Sequence, residues 1–156
     1  MKGNMACHYL FLFTLFFLAL ASSVQSAEEE ETIALPGHKY FIRLTNNLSG
    51  SAVLHFACRS TEDVITRDLA PNAQFEFEFR YNPVATDWNC YMGYNITQGQ
   101  LRAGGFHAWS SGNVPKYGGV HAIWSIRDSG FWLFHIKSGQ YTLENSWRTS
   151  VAVSPV

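Results

Sequence analysis

The chain alternates apolar and polar residues in short runs, and the clearest run is QFEFEFR at positions 74–80. Successive side chains of an extended strand point to opposite faces of its sheet. Phe75, Phe77 and Phe79 therefore share one face. An apolar face on a core and a charged face toward solvent is typical of an antiparallel sheet. The run predicts a strand that buries its phenylalanines. The other face, with Glu76, Glu78 and Arg80, is predicted to be exposed and to have no catalytic role.

Similar runs recur along the chain, separated by turn-forming residues, and no window has the 3.6-residue period of a helix. They predict an all-β fold, a sandwich or a barrel, and we favour a small antiparallel β-sandwich of about seven to eight strands. The glycine-rich stretch Gln98–Gly105 is predicted to be a loop. The predicted strands are Lys39–Thr45, Ser51–Arg59, Val64–Leu69, 74–80, Trp88–Tyr94, Phe106–Ser110, Val120–Arg127, Phe131–Ile136 and Tyr141–Trp147.

Residues 1–26 are typical of a secretory signal peptide. Lys2 precedes an apolar run from Leu10 to Ala21, and small residues lead to Ser26, where a signal peptidase would cut. A membrane anchor is the alternative, but a spanning helix needs about 20 apolar residues. We therefore predict a protein that begins near Ala27, does not insert into a membrane and is secreted to the extracellular space.

The rest of the chain is predicted to form one domain. Residues 27–38 hold the acidic run Glu28–Glu31 and are expected to be a disordered tail, 39–148 form the sandwich, and 149–156 are a C-terminal tail. Without Lys2, 10 of the 11 Lys and Arg residues face 12 Asp and Glu residues, a net charge of −2. With no Lys or Arg cluster, we expect a protein that does not bind nucleic acid. We also expect a monomer.

Two cysteines, Cys58 and Cys90, remain once Cys7 leaves with the signal peptide. In an oxidising compartment such a pair most simply forms a disulfide within the chain, and a covalent dimer is the minor alternative. An internal bridge would stabilise the fold by about 3 to 4 kcal/mol on the chain-entropy model.

The candidate catalytic and metal-binding residues do not form a recognisable site. Glu76 and Glu78 are neighbours on one strand, whereas the two acids of a glycosidase flank a cleft. His55 and Cys58 point to opposite faces of a strand, so they cannot easily share an ion. We predict no enzyme, no metal and no cofactor, although a secreted hydrolase whose residues converge in the fold stays open. Ordinary strand histidines are expected at positions His107, His121 and His135.

Two sites for N-linked glycans are predicted, at Asn47 in the sequence NLS and at Asn95 in the sequence NIT. Each lies in or beside a predicted turn, where a glycan can reach solvent. We expect a secreted product that carries a glycan at one or both positions.

The aromatic residues suggest one further alternative. The mature chain keeps all five tryptophans, and such side chains usually fill a core. Exposed tryptophans could instead stack on sugars. A secreted carbohydrate-binding module, using side chains such as Trp109 and Trp132, is therefore a second candidate function.

The order of several elements resembles the plant self-incompatibility protein family, whose members are also called S-protein homologues. The resemblance covers about Tyr40 to Trp147, behind the signal peptide. The residues that carry it are Asn46-Asn47-Leu48, Cys58-Arg59-Ser60 with Glu62 and Asp63, Leu69-Ala70-Pro71, Phe75, Phe77 and Phe79, Cys90, Trp124-Ser125-Ile126, Asp128 to Phe131, and Trp147.

The resemblance implies a small β-sandwich that is secreted to the plant apoplast. It also implies a signalling ligand for a cell-surface receptor, as the founding members are in pollen rejection. The family usually has two further cysteines before the tryptophan that matches Trp124, where this chain reads YGGVHAI. This implies that one bridge is lost and that Cys58 to Cys90 is kept. Receptor specificity is expected in loops on a rigid sandwich. The candidate loops are Ser60–Arg67, Tyr81–Asp87, Gln98–Gly105 and Ser111–Gly119.

Overall fold

A computed structural model describes residues 33–97, 100–148 and 151–152 of the chain. The predicted signal peptide and the run Glu28–Glu31 lie outside the described residues. Within them, short alternating segments form ten strands, one 3₁₀ turn and one short helix. The elements are β1 (Lys39–Asn46), β2 (Leu54–Arg59), β3 (Val64–Leu69), β4 (Gln74–Arg80), β5 (Trp88–Thr97), β6 (Gln100–Trp109), the 3₁₀ turn (Ser111–Asn113), α1 (Val114–Tyr117), β7 (His121–Arg127), β8 (Gly130–His135), β9 (Gln140–Asn145) and β10 (Val151–Ala152).

The strands form two five-stranded sheets that pack face to face, so the predicted all-β sandwich is confirmed. The first sheet has the order β4-β1-β7-β8-β9, and the second has the order β10-β6-β5-β2-β3. Neighbouring strands are antiparallel except β1 and β7, which pair in parallel. β1 and β7 can pair in parallel because a long crossover connects them, and this crossover contains four of the five strands of the second sheet.

Strand β4 has the bounds and the faces that its sequence predicts. Phe77 is buried, and Phe75 and Phe79 are partly buried against the core. On the other face, Glu76 lies 2.8 Å from Arg43 Nε, and Glu78 makes an equivalent pair with a lysine of β1. The two glutamates therefore serve as cross-strand ion pairs on a solvated face, where such pairs contribute little stability.

Aromatic rings fill the space between the sheets. Phe106 of the second sheet packs on Phe131 and Trp124 of the first, with ring centroids 4.7 and 4.3 Å apart. The indole Nε1 of Trp124 also donates a hydrogen bond of 2.9 Å to the carbonyl oxygen of Ala108. Trp124 thus joins the sheets through apolar contact and through a buried hydrogen bond.

The prediction of a loop at Gln98–Gly105 is wrong from Gln100 onward, because these residues begin β6. The glycines of this stretch sit under aromatic rings on both faces of the strand. A methyl group at Gly104 would lie 2.9 Å from Phe131 Cε2, and one at Gly105 would lie 2.8 Å from Tyr91 Cδ1. Glycine in a strand often marks such a close approach, so the two glycines accommodate packing and do not break the strand.

Cys58 and Cys90 are joined by a disulfide within the second sheet. They are direct partners in the antiparallel register of β2 and β5, and both are fully buried. His55 is exposed while Cys58 is buried, so the two side chains do lie on opposite faces of β2.

Asn46, at the end of β1, is a fully buried polar residue. Its Nδ2 lies 2.9 Å from the carbonyl oxygen of Leu69 and 3.0 Å from that of Ala52, and its Oδ1 accepts the backbone N–H of Leu48. One side chain therefore fixes the β1–β2 connection against the end of β3.

The segments on either side of the sandwich are partly ordered. Residues 33–38 belong to the predicted disordered tail, yet Ala34 is buried and the Gly37 N–H donates to the Tyr81 carbonyl oxygen. At the other end, the predicted tail 149–156 includes β10, which pairs with β6.

Replacing Phe77 by alanine should lower the free energy of unfolding by about 3 to 5 kcal/mol, because it opens a cavity beside Trp88. Glu76→Gln, on the other face of β4, should cost no more than about 1 kcal/mol. Urea unfolding followed by tryptophan fluorescence measures both. A larger loss for Glu76→Gln than for Phe77→Ala would mean that the two faces are reversed.

Replacing Gly104 by alanine should destabilise the fold by about 1 to 3 kcal/mol, since the added methyl group overpacks the core against Phe131. Gly112→Ala is the matched control, because a methyl group there meets nothing within 4 Å. Thermal unfolding of both variants tests this. Equal melting temperatures would contradict the close packing assigned to Gly104.

Candidate functional site

The strand directions bring several connections to one end of the sandwich. β2, β4 and β6 run toward this end, and the next strands run away from it. We call this surface the loop end and define it as residues 60–63, 81–87 and 111–119. It collects three of the four loops predicted to carry specificity. Of the fourth, Gln98–Gly105, the described residues from Gln100 onward belong to β6, which begins at the opposite end. The later part of Ser60–Arg67 belongs to β3.

The connection Tyr81–Asp87 is held by its own hydrogen bonds. The backbone carbonyl of Asn82 accepts from the N–H groups of Ala85 and Thr86, at 3.1 and 2.9 Å. The Asn82 N–H donates to Thr86 Oγ1 at 2.8 Å, and Asn82 Oδ1 accepts the Val84 N–H at 3.1 Å. This loop therefore has a defined conformation before any partner arrives.

Val84 lies at the tip of this loop and is 93% exposed. An apolar side chain this exposed contributes nothing to the packing of the core. Single exposed apolar residues are common on protein surfaces and need no explanation on their own. The difference here is that the backbone holding Val84 is fixed by four hydrogen bonds.

The neighbouring loop at residues 60–63 is a tight turn that touches the first. Ser60 Oγ accepts the Asp63 N–H at 3.0 Å, and the Ser60 N–H donates to the Asp63 carbonyl oxygen at 2.9 Å. Asn82 Nδ2 donates to Glu62 Oε1 at 3.4 Å. The two loops together carry three acidic residues, Glu62, Asp63 and Asp87.

The third connection is anchored by Val114 and Tyr117, which are buried in α1. The Tyr117 hydroxyl accepts the Ser110 N–H at 3.2 Å. Burial raises the pKa of the Tyr117 phenol to about 12. Gly118 then ends the helix with φ of 75°, a left-handed conformation that favours glycine. This connection is therefore also well packed.

The two sequons lie at the end of the sandwich opposite the loop end. Asn47 follows β1, and its Nδ2 donates to the hydroxyl of the buried Ser125 at 2.7 Å. Asn95 is exposed near the end of β5. Glycans at either position would leave the loop end uncovered.

The tryptophans named for sugar stacking do not offer free ring faces. Trp109 is fully buried, so its assignment as an exposed stacking residue is wrong: β6 runs on to this residue, and the indole faces the core. Trp132 is half-buried, and the guanidinium carbon of Arg127 lies 4.7 Å from its ring centroid. A cation already covers part of the Trp132 surface.

Four histidines lie beside carboxylates: His55 and the three that were predicted to be ordinary strand residues, His107, His121 and His135. His55 Nδ1 is 2.6 Å from Asp68 Oδ1, and His107 Nε2 is 3.0 Å from Asp87 Oδ1. Two more pairs, with longer contacts, complete the set: His121 with Glu76 and His135 with Glu144. All join different strands or loops, so spacing along the sequence could not reveal them.

An open cavity of about 1040 Å³ lies at the end opposite the loop end, and its side chains are those that most resemble a hydrolytic site. His55 and Asp68 line it together with Ser49 and Ser51. Within the described residues, the His55 imidazole is hydrogen-bonded to Asp68 and to no serine hydroxyl. A serine hydrolase needs a nucleophile bonded to its base, and this arrangement does not supply that contact.

Two properties of residues 33–97, 100–148 and 151–152 bear on other functions. No three His, Cys, Asp or Glu side chains among them are placed to hold a metal ion. No helix in the same ranges has the length and apolarity needed to cross a bilayer.

Residues 41–147 match the family model described as plant self-incompatibility protein S1. The chain belongs to this family. The self-incompatibility protein homologue whose structure is described as that of a widespread family of small, highly stable, secreted proteins from plants has the same fold, with a TM-score of 0.52 and 18% identity. The match covers 72% of this chain and 97% of that one. A comparison with curated proteins found no match. As a member of this family the protein is extracellular.

Sequence reasoning found the loops of this self-incompatibility homologue but missed Val84. A signal was present, because Val84 is a lone aliphatic residue inside the turn-forming segment Asn82-Pro83 to Asp87. The hydrogen bonds that fix the loop could not be read from that pattern, since they depend on where the backbone turns.

The buried phenol of Tyr117 should make the protein sensitive to alkali. The unfolded phenol ionises near pH 10, whereas the folded one stays neutral to about pH 12. Its contribution to stability is therefore complete below pH 10 and is lost as the pH rises to 12. Tyr117→Phe should reduce the slope of unfolding free energy against pH in this window by up to about 1.4 kcal/mol per pH unit.

Urea unfolding at a series of pH values measures this slope. At neutral pH the same variant should cost about 1 kcal/mol, for the lost hydrogen bond from Ser110. Identical slopes for the variant and the unsubstituted chain would contradict the raised pKa.

Proposed function

We propose that the protein is a secreted signalling ligand that a cell-surface receptor recognises through the loop end, with no chemistry of its own. Val84 is the central contact in this proposal. Membership of the self-incompatibility family supports a role in recognition between plant cells. The observation that carries the choice of surface is the rigid loop that exposes Val84.

A rigid loop favours binding because little conformational entropy is lost when the partner docks. The Asn82 hydrogen bonds provide that rigidity, and the neighbouring turn at 60–63 contacts the loop through Glu62. Energetically important contacts are usually a few central residues surrounded by polar ones. Val84, on loops that also carry Glu62, Asp63 and Asp87, is proposed to be such a central residue.

The charges at the loop end indicate the chemistry of the receptor. Complementary charges guide association and select the correct partner. The proposed receptor surface therefore has an apolar pocket for Val84 and basic side chains around it. Such an encounter should weaken as the salt concentration rises.

Labelled full-length secreted protein added to plant cells tests this proposal. We expect saturable surface binding that unlabelled protein displaces. Val84→Asp should weaken this binding about tenfold or more, a loss of at least ~1.4 kcal/mol. The substitution places a charge in the proposed apolar pocket.

Val53→Asp is the matched control, because Val53 is also an exposed valine but lies at the opposite end. It should bind as the unsubstituted protein does, and circular dichroism should show both variants folded. Binding that does not saturate, or that simple sugars abolish, would overturn the proposal in favour of a carbohydrate-binding role. Equal losses of binding for the two variants would show that the loop end is not the receptor contact.

A further inference from the structure

The outer face of the second sheet carries a shallow groove between β3 and β6. Along β5, Cys90, Met92 and Tyr94 are buried, so Tyr91, Gly93 and Asn95 point outward. The groove has a volume of about 390 Å³, and its lining is mostly apolar. Small residues allow a flat molecule to lie close to the strands, and the lining includes Ala57, Gly93 and Ala103.

Tyr91 closes one end of this groove and is 60% exposed. Its partner across β6 is Gly105, where a methyl group would lie 2.8 Å from Tyr91 Cδ1. One side of the tyrosine ring therefore packs on the Gly105 backbone. The glycine holds the ring in place while much of its surface remains open to solvent, which is the arrangement that stacking on a sugar requires.

Asn95, an acceptor in a sequon, lies at the other end of the same face. It lines the cavity of about 1040 Å³, and His55 and Asp68 line both this cavity and the groove. The cavity and the groove therefore meet at the pair whose Nδ1 and Oδ1 atoms are 2.6 Å apart. Four residues along a strand separate Asn95 from Tyr91, a distance of about 13 Å, which the first few sugars of a glycan can cover.

We propose that this face binds the chain's own N-linked glycan, attached at Asn95. The apolar side of a proximal sugar ring stacks on Tyr91, and sugar hydroxyls donate hydrogen bonds to the Asp68 carboxylate. A linked sugar has a high effective concentration at a groove beside its own attachment point. The tethered glycan therefore occupies this face in preference to a free saccharide.

The attachment is an ordinary glycosyl transfer during secretion. A bond forms between the anomeric carbon of the first sugar and Asn95 Nδ2. The bond from that carbon to the diphosphate of a lipid-linked oligosaccharide donor breaks, and the diphosphate leaves with the bonding electrons. One amide proton passes to a base of the transferring enzyme.

The other sequon has a different setting. In the folded chain Asn47 Nδ2 already donates to the buried Ser125 hydroxyl at 2.7 Å, and Asn47 directly follows β1 of the first sheet. Asn47 is also missing from the lining of both the cavity and the groove. We therefore assign the docked glycan to Asn95 alone. This inference does not depend on the proposed receptor contact, since Val84 lies at the other end of the sandwich.

The test uses full-length protein secreted from a plant or other eukaryotic cell line, with Ser49→Ala to remove the Asn47 sequon. Glycopeptide mass establishes occupancy at Asn95. An endoglycosidase then trims the glycan from folded and from denatured protein. We expect trimming of the folded protein to be about tenfold slower, because a docked glycan must leave the groove before cleavage.

Tyr91→Ala should remove most of this protection, while Tyr141→Ala, an exposed tyrosine on the opposite sheet, should leave it intact. Circular dichroism confirms that both variants fold. An unmodified Asn95, equal trimming rates in the folded and denatured states, or protection that survives Tyr91→Ala would each overturn the proposal. Saturable binding of a free oligosaccharide at Tyr91 of the glycosylated protein would also overturn it, because the face would then be vacant.

Discussion

The arrangement of the sandwich depends on the buried side chain of Asn46. Its amide is hydrogen-bonded to Ala52 and Leu69, and its Oδ1 to Leu48, so it joins two connections that are distant in sequence. An apolar residue of this size would leave those backbone groups buried without partners, at a cost of about 1 to 3 kcal/mol each. The first strand of one sheet is thereby tied to an edge strand of the other. Asn46 therefore fixes how the two sheets meet at this end of the sandwich.

Sequence alternation was sufficient to predict much of this frame. β3 and β4 begin and end where their patterns indicate, because one face of each is polar and the boundaries fall at Ser, Pro and Asn. The first half of β6 was missed, because its glycines look like loop residues until Phe131 and Tyr91 are seen to pack on them. The parallel pairing of β1 with β7 was also beyond the pattern. A two-residue alternation shows which face of a strand is buried, but it does not show which strand lies beside it.

The candidate site, like the fold, could be predicted from the sequence only in part. The loops could be located from turn residues, and the fold then showed that most of them share one end. The contribution of each loop residue depended on tertiary geometry. Asn82 reads as an ordinary turn former, yet it organises the backbone around Val84. The histidine–carboxylate contacts and the Tyr91 ring over Gly105 arise from the register between strands, which no single segment encodes.

The parallel contact of β1 with β7 has a consequence for how the protein is made. In the second sheet, β2 pairs with β3 and β5 with β6, so those hairpins can form as soon as each pair of strands has been synthesised. β1 can pair with β4 on one edge at an early stage, but its other edge must wait, because Phe41 pairs with His121 and Asn46 with Ile126, about 80 residues further along the chain. Contacts between distant segments slow folding. During synthesis, the edge of β1 that faces β7 therefore stays unpaired until residues 121–127 have been made, an interval in which a chaperone can bind it.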